Sequence, residues 1–271
     1  RSQGFPVHRL VMRNPFDLRA ARKLAALCRR EGYDLIHAQF PRENIIALNA
    51  RSFGSGAGVI FTAHLTLDQP VYWRLINRHF TKKNRAVIAV CEAGRNILIR
   101  NGVPSDKIKV IYNGIDPGGA LPHDRAPLSE FQIREEPVLI TLARFSPEKG
   151  LPFLVDAIHA LEQQISVPFR VLLVGDGEQM PEVRALIARH RLEDKVILTG
   201  YRIDTAALLA ASDIYVNSSC KNEAMSFAIL EAMASGLCIV ATDVGGNREL
   251  VESGSPCGAI VDYGDIPAFS G

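Results

Sequence analysis

Residues 138–177 read VLITLARFSPEKGLPFLVDAIHALEQQISVPFRVLLVGDG. Two short runs of branched apolar residues, 138–143 and 170–174, flank a stretch that opens as a helix at Pro152, because proline is tolerated in a first helical turn. The first run ends in the loop Ala143-Arg144-Phe145-Ser146-Pro147-Glu148-Lys149-Gly150, the second in the turn Gly175-Asp176-Gly177. Strand, covering helix and strand of these lengths make a parallel pair. The alternation continues downstream with strands over 195–199, 214–217, 238–242 and 259–261. Upstream it gives strands over 35–38, 59–63, 86–90 and 108–111, and helices over 17–30, 42–52, 69–80 and 92–101. In the first helix Leu18, Ala21, Ala25 and Cys28 recur at three- and four-residue spacing, with arginines on the other face. Residues 113–132, NGIDPGGALPHDRAPLSEFQ, lack periodicity and read as a linker. The expected fold class is α/β: two Rossmann-like doubly wound domains, residues 1–120 and 121–271, facing a cleft, with ligands bound at the carboxyl ends of the strands.

Composition agrees. Hydrophobic content of 47% and charged content of 22% are globular values, and no apolar run reaches the roughly 18 residues of a membrane span. Five scattered cysteines (Cys28, Cys91, Cys220, Cys238, Cys257) show no C-x-x-C spacing, which argues against a disulfide framework or a structural zinc site. Each reads as a small buried hydrophobe in a reducing compartment, hence a cytoplasmic protein. Net charge is +2, but residues 1–120 carry a balance of +11 and residues 121–271 one of −9, as expected of two domains with different partners. The chain opens on Arg1 and closes on Gly271 just after a strand-like segment, so both ends are expected to be cut and the first domain incomplete.

Four loops at predicted strand ends carry chemistry. In the first, Arg144 and Lys149 lie beside a helix N-terminus, which suits a diphosphate: two cations hold a leaving group that gains charge as its bond breaks. In the second, Gly175 and Gly177 would let a ligand approach the backbone, or simply form a tight turn; Met180 at the third glycine position spoils the dinucleotide fingerprint. In the third, a base could lie against the backbone of Gly200-Tyr201-Arg202. The fourth holds Glu223 and Glu231, eight residues apart, and from Phe227 to Thr242 Glu231 is the only charged residue. A carboxylate in such a run costs several kcal/mol unless paired, and a ribose diol would pair it. Glu223 lies in a loop, and the backbone of Ala224, Met225 and Ser226 offers helix-terminal N–H groups to sugar or phosphate oxygens.

Taken together, Arg144 with Lys149, the Gly-Asp-Gly turn, Glu223-x7-Glu231, Ala-Thr-x-x-Gly-Gly over 241–246 and Arg-Glu-Leu-Val over 248–251 resemble the retaining GT-B glycosyltransferases of the "glycosyl transferases group 1" family. Tyr33 to Ala38 and Ile111 to Asp116 are similar to the same family. Cys91 and Ala224 depart from it, standing where serine and glycine are common. The resemblance implies a nucleoside-diphosphate sugar as donor, UDP favoured, with no separate cofactor and no metal. Glu231 would hold the ribose, Arg144 and Lys149 the diphosphate, and Glu223 with the Ala224–Ser226 backbone the donor sugar. It also implies an active-site histidine that hydrogen-bonds the transferred sugar; His64, at the end of a predicted strand, matches it, and His37 is the rival.

The acceptor, a glycan or lipid-linked glycan, belongs by this resemblance to the basic half. Arg74, Arg78, Lys82, Lys83 and Arg85 form one cluster; Arg13, Arg19, Arg22, Lys23, Arg29 and Arg30 form another. They suit an anionic surface, such as the inner face of a membrane, or a phosphate-bearing acceptor. They equally suit a solvated face complementary to the acidic second half. No aromatic interleaving marks a nucleic-acid module. Two other readings use the same parts: a sugar-nucleotide epimerase, and a non-catalytic nucleotide-sugar-binding module.

Overall fold

The computed structural model describes residues 6–64, 67–117 and 121–271. The chain divides into two compact units, Arg1–Tyr112 and Asn113–Gly271, N-terminal to the expected 120/121 boundary. The expected linker is the reason. Its first part lies partly outside the described residues, but Ala126–Phe131 coils into a 3-10 turn that drives Leu128 to 0% exposure in the core of the second unit. Burying one leucine in this way contributes about 2 kcal/mol, enough to fix a segment that has no periodicity of its own.

In the first unit, α1 (Leu18–Glu31) begins at Asp17, whose carboxylate accepts from the backbone N–H of Arg19 and Ala20, and ends on left-handed Gly32. Ala20, Ala21, Ala25 and Cys28 are buried, whereas Leu18 stays half-exposed, one residue off the expected stripe. There follow β1 (Leu35–Ala38), α2 (Pro41–Ser52), β2 (Gly58–Ala63), α3 (Val71–Phe80), β3 (Ala86–Ala89), α4 (Glu92–Arg100) and β4 (Ile108–Val110). The four strands pair in parallel in sequence order, β1-β2-β3-β4, so the described sheet has no reversal. Cys91, where serine is common, caps α4: its Sγ accepts from Gly94 N–H at 3.2 Å.

The second unit carries β5 (Val138–Leu142), α5 (Leu151–Gln164), β6 (Arg170–Val174), α6 (Met180–His190), β7 (Val196–Gly200), α7 (Thr205–Ala210), β8 (Ile214–Asn217), α8 (Phe227–Ala234), β9 (Cys238–Thr242), α9 (Asn247–Val251), β10 (Gly258–Val261) and α10 (Ile266–Ser270). Its all-parallel sheet runs β10-β9-β8-β5-β6-β7, and the order reverses between β5 and β8. Alternate residues feed opposite faces. Ile140, Leu172 and Tyr215 join a core with α8 and α9, while Val171, Leu173 and Val216 join another with α5 and α6. Burial pushes the Tyr215 phenol well above its ordinary range.

The cysteines are all free, but only Cys28 and Cys91 are buried. Cys220 and Cys257 are half-buried and Cys238 is exposed, so the expectation of five buried hydrophobes is corrected for three of them.

Candidate active site

In a doubly wound sheet, the loops on either side of the strand-order reversal diverge and leave a crevice at the strand carboxyl ends. Here those loops follow β5 and β8, and they are stitched together. Ser218 Oγ donates to Lys149 O at 2.9 Å and Cys220 N–H to Glu148 O at 2.9 Å. Gly150 allows this closeness: at φ +61° its absent Cβ would lie 2.2 Å from Ser218 O. Across the seam Lys149 Nζ donates to Glu223 Oε2 at 2.5 Å, and Ser219 Oγ donates to the same oxygen at 3.0 Å. The side chains are 26% and 13% exposed, so the pair is largely out of water yet reachable from it. Ser219 is held in turn by Thr242, whose Oγ1 donates to Ser219 O at 2.5 Å, and by Asn217, whose Oδ1 accepts from Ser219 N–H. Buried Asn247 donates to Thr242 O and Asn217 Oδ1, and its own Oδ1 meets no partner among the described residues.

Arg144 is the more exposed cation at 71%. It pairs with Glu148, whose carboxyl is held below its ordinary range by its own backbone N–H, against an opposing effect of burial, and then by Ser146 and Arg144. Arg144 also lines a groove of about 440 Å³ with Gly175, Asp176, Tyr201, Arg202 and Thr205. Thr205 is shared with a second pocket of about 250 Å³, lined by Ile115, Asp116, Leu209, Glu231 and Ser235. Glu231, expected in an apolar environment, is instead half-buried at this pocket, and no hydrogen bond to its carboxylate is made among the described residues. Such a carboxylate accepts two hydroxyls without displacing anything.

Several expected residues also have contacts within the protein. The missing Cβ atoms of Gly175 and Gly177 face backbone, at 1.8 Å from Ala143 O and 2.4 Å from Phe145 O, so these glycines let the two loops pack together, while Gly175 also lines the groove. The open glycine is Gly200, with φ +72° and nothing within 4 Å. Arg202 lines the groove, but its guanidinium is engaged: it forks onto Asp204 (2.6 and 2.8 Å) and Glu130 (2.7 and 3.1 Å), which raises its pKa, Asp204 first. That clamp ties α7 to the 3-10 turn and leaves the backbone and the 78%-exposed ring of Tyr201 to the groove. Ala224, Met225 and Ser226 are buried at 3 to 5%. Ser226 caps α8 by accepting from Ile229 N–H, and Ala224 O accepts from Gly246 N–H at 2.7 Å.

In the first unit, His64 Nε2 lies 2.6 Å from Gln39 Oε1 in a pocket of about 80 Å³ that Asn77 and Asn101 also line. His37 Nε2 lies 2.7 Å from Thr62 Oγ1, a partner within its own sheet. Among the described residues no group of three or more His, Cys, Asp or Glu converges as a metal site. Sequence reading missed Glu148, Ser219, Thr242, Asn247, Thr205 and Asp116. The cluster of polar residues in Asn217-Ser218-Ser219 directly after a strand was the available signal for the second of these.

The model of "Glycosyl transferases group 1" matches residues 136–271, and that of "Glycosyltransferase Family 4" matches residues 2–118. The chain belongs to the glycosyl transferases group 1 family. Its similarity to named members is distributed over both units. It is 29% identical over 259 residues to the N-acetyl-alpha-D-glucosaminyl L-malate synthase of Bacillus anthracis, covering 93% of this chain and 67% of that protein. It is 26% identical over 267 residues to the Escherichia coli UDP-Gal:alpha-D-GlcNAc-diphosphoundecaprenol alpha-1,3-galactosyltransferase, covering 93% and 68%. The crystal structure of Anabaena Alr3699/HepE in complex with UDP superposes with a TM-score of 0.81 at 27% identity, covering 93% of this chain and 70% of that one. This glycosyltransferase-family chain thus spans about two thirds of the length of these relatives.

Proposed function

We propose that this chain forms the donor site and part of the acceptor side of a retaining glycosyltransferase. It would move a sugar from a nucleoside diphosphate, UDP by preference, to a glycan or lipid-linked acceptor, without a metal ion. The observation that carries the reading is the Lys149–Glu223 pair at the strand-order reversal, with the Glu231 carboxylate, which accepts no hydrogen bond among the described residues, in the pocket that shares Thr205 with the Arg144 groove. Lys149 and Arg144 stabilise the charge that gathers on the departing diphosphate. Glu223, kept in place by Ser219, accepts from donor-sugar hydroxyls, and Glu231 accepts from the ribose diol. The Gly200–Tyr201 backbone and ring receive the base, and His64 hydrogen-bonds the transferred sugar. UDP is favoured because a 27%-identical relative was solved with UDP, and a lipid-linked acceptor because a 26%-identical relative is named for one.

A thermal-shift titration with UDP, GDP and ADP tests this. A ligand at a hundredfold excess over its dissociation constant adds about 2.7 kcal/mol of stability. UDP is expected to shift the wild type and not Lys149→Ala. A folded chain that responds to no nucleotide would sink the proposal.

A further inference from the structure

Buried polar side chains as a rule have their polar atoms paired. Among the described residues five buried side-chain atoms meet no partner, and Asn247 Oδ1 is the one that belongs to a residue with 0% exposure. Backbone groups that cannot be flipped fix how this amide lies. Ser219 N–H only donates, so Asn217 presents Oδ1 to it at 3.2 Å, and the same side chain hydrogen-bonds the Tyr215 phenol. Thr242 O only accepts, so Asn247 turns Nδ2 to it at 3.1 Å, and to Asn217 Oδ1 at 3.4 Å. Asn247 therefore bonds to the protein through one end of its amide.

Both bonds lead to Ser219. Asn217 Oδ1 holds its N–H, and Thr242 Oγ1 holds its carbonyl at 2.5 Å. With both backbone groups held by side chains, the Ser219 hydroxyl is aimed onto Glu223 Oε2 at 3.0 Å. The turn before α9 acts on the same stretch: Gly246 N–H donates to Ala224 O at 2.7 Å, and the missing Cβ of Gly245 faces Glu223 O. Lys149 Nζ completes the grip on Oε2. Two donors on one carboxylate oxygen set the plane of the group and the direction of its other oxygen.

We propose that Asn247 is a positioning residue for the donor sugar: through Asn217, Thr242 and Ser219 it fixes the direction in which Glu223 accepts sugar hydroxyls. The proposal rests on the reading of Glu223 as the sugar's acceptor, and it separates two tasks of one site. Glu231 and the cations hold the nucleotide, whereas the network behind Ser219 serves the sugar alone. The fold does not depend on the amide. In Asn247→Leu, Thr242 O keeps the Val244 N–H at 2.9 Å and Asn217 Oδ1 keeps that of Ser219, so neither acceptor is stripped.

The full chain is titrated by calorimetry with UDP, and with UDP-glucose, UDP-galactose and UDP-N-acetylglucosamine; the UDP-sugar most weakened by Glu223→Ala is the probe. Asn247→Leu should bind that UDP-sugar about tenfold more weakly, the loss of one well-aimed hydrogen bond to a carboxylate. UDP itself should stay within about twofold, because its contacts share no partner with Asn247. Asn247→Leu added to Ser219→Ala should lose nothing beyond Ser219→Ala alone, since Asn247 acts through Ser219. Thr242→Val, which removes only the hydroxyl on Ser219 O, should show the same split and keeps the test decisive if Asn247→Leu fails to fold. Equal losses for UDP and UDP-sugar, an unchanged UDP-sugar affinity, or additive losses in the double variant would overturn the proposal. So would UDP-sugars that are all indifferent to Glu223→Ala. A folded wild type that binds no UDP would instead overturn the donor site on which the proposal rests.

Discussion

Among the described residues the two units are assembled from the same kinds of element and differ in the order of their strands. In the first, four parallel strands run in sequence order, each loop follows its neighbour, and its histidines find partners locally, His64 on Gln39 and His37 on Thr62. In the second, the order reverses between β5 and β8, and the two loops that leave the sheet there meet in a buried network joining Lys149, Glu223, Ser219, Thr242 and Asn247. Position in the topology, and not the kind of element, decides where a convergent site is built.

The largest effect expected from breaking this comparison is at Gly150. Gly150→Ala combines a positive φ with a Cβ 2.2 Å from Ser218 O, and should cost more than about 3 kcal/mol. Gly32→Ala, in the first unit, has a similar φ of +70° and open space, and should cost only about 1 kcal/mol. Equal losses in denaturant melts would mean that the loop seam contributes nothing. Next comes the seam's ion pair. Lys149→Ala leaves the Glu223 carboxylate with Ser219 but without its cation, and should cost roughly 1–2 kcal/mol after allowance for its partial exposure. Lys149→Met, which keeps the packing, should lose about as much; no loss in either would deny the pair a structural role.

Smaller effects sharpen the contrast. The buried Tyr215 phenol has its folded-state pKa raised above the unfolded value of 10.0. Its contribution is fully present below pH 10 and is lost as pH rises through the folded value, because the unfolded chain releases a proton that the folded one retains. Tyr215→Phe should therefore lose about 1 kcal/mol at neutral pH, and fall less steeply than wild type above pH 10 in thermal melts. In the first unit, Cys91→Ser puts a stronger acceptor at the α4 cap and should raise stability by about 0.5 kcal/mol in the same melts.

Much of this was legible in the sequence. Strand and helix periods placed nearly every element, since most strands lie between covered faces and most helices bury one stripe. Lys149 was singled out by its place beside a helix N-terminus, and Glu223 and Glu231 by their spacing and by the apolar run around the second. What was not legible is what depends on distant pairing. The clamp of Arg202 depends on Glu130, far off in the sequence, and the packing of Gly175 and Gly177 on the β5 loop, which a local reading of either turn does not contain. Leu128 sat in a segment without periodicity and gained its place only from the core that received it. The polar residues Ser219, Thr242 and Asn247 come from three separate elements, so no local pattern could join them.

The central claim is that the nucleotide of the donor is recognised by the second unit alone. Titration of the full chain with UDP, read by calorimetry for wild type, Glu231→Ala and His64→Ala, tests it most directly. Two hydroxyls bonded to a carboxylate contribute on the order of 3 kcal/mol, so Glu231→Ala should weaken UDP about a hundredfold, while His64→Ala, which would meet only the transferred sugar, should leave it unchanged. UDP bound equally well by Glu231→Ala, or lost in His64→Ala, would contradict the account.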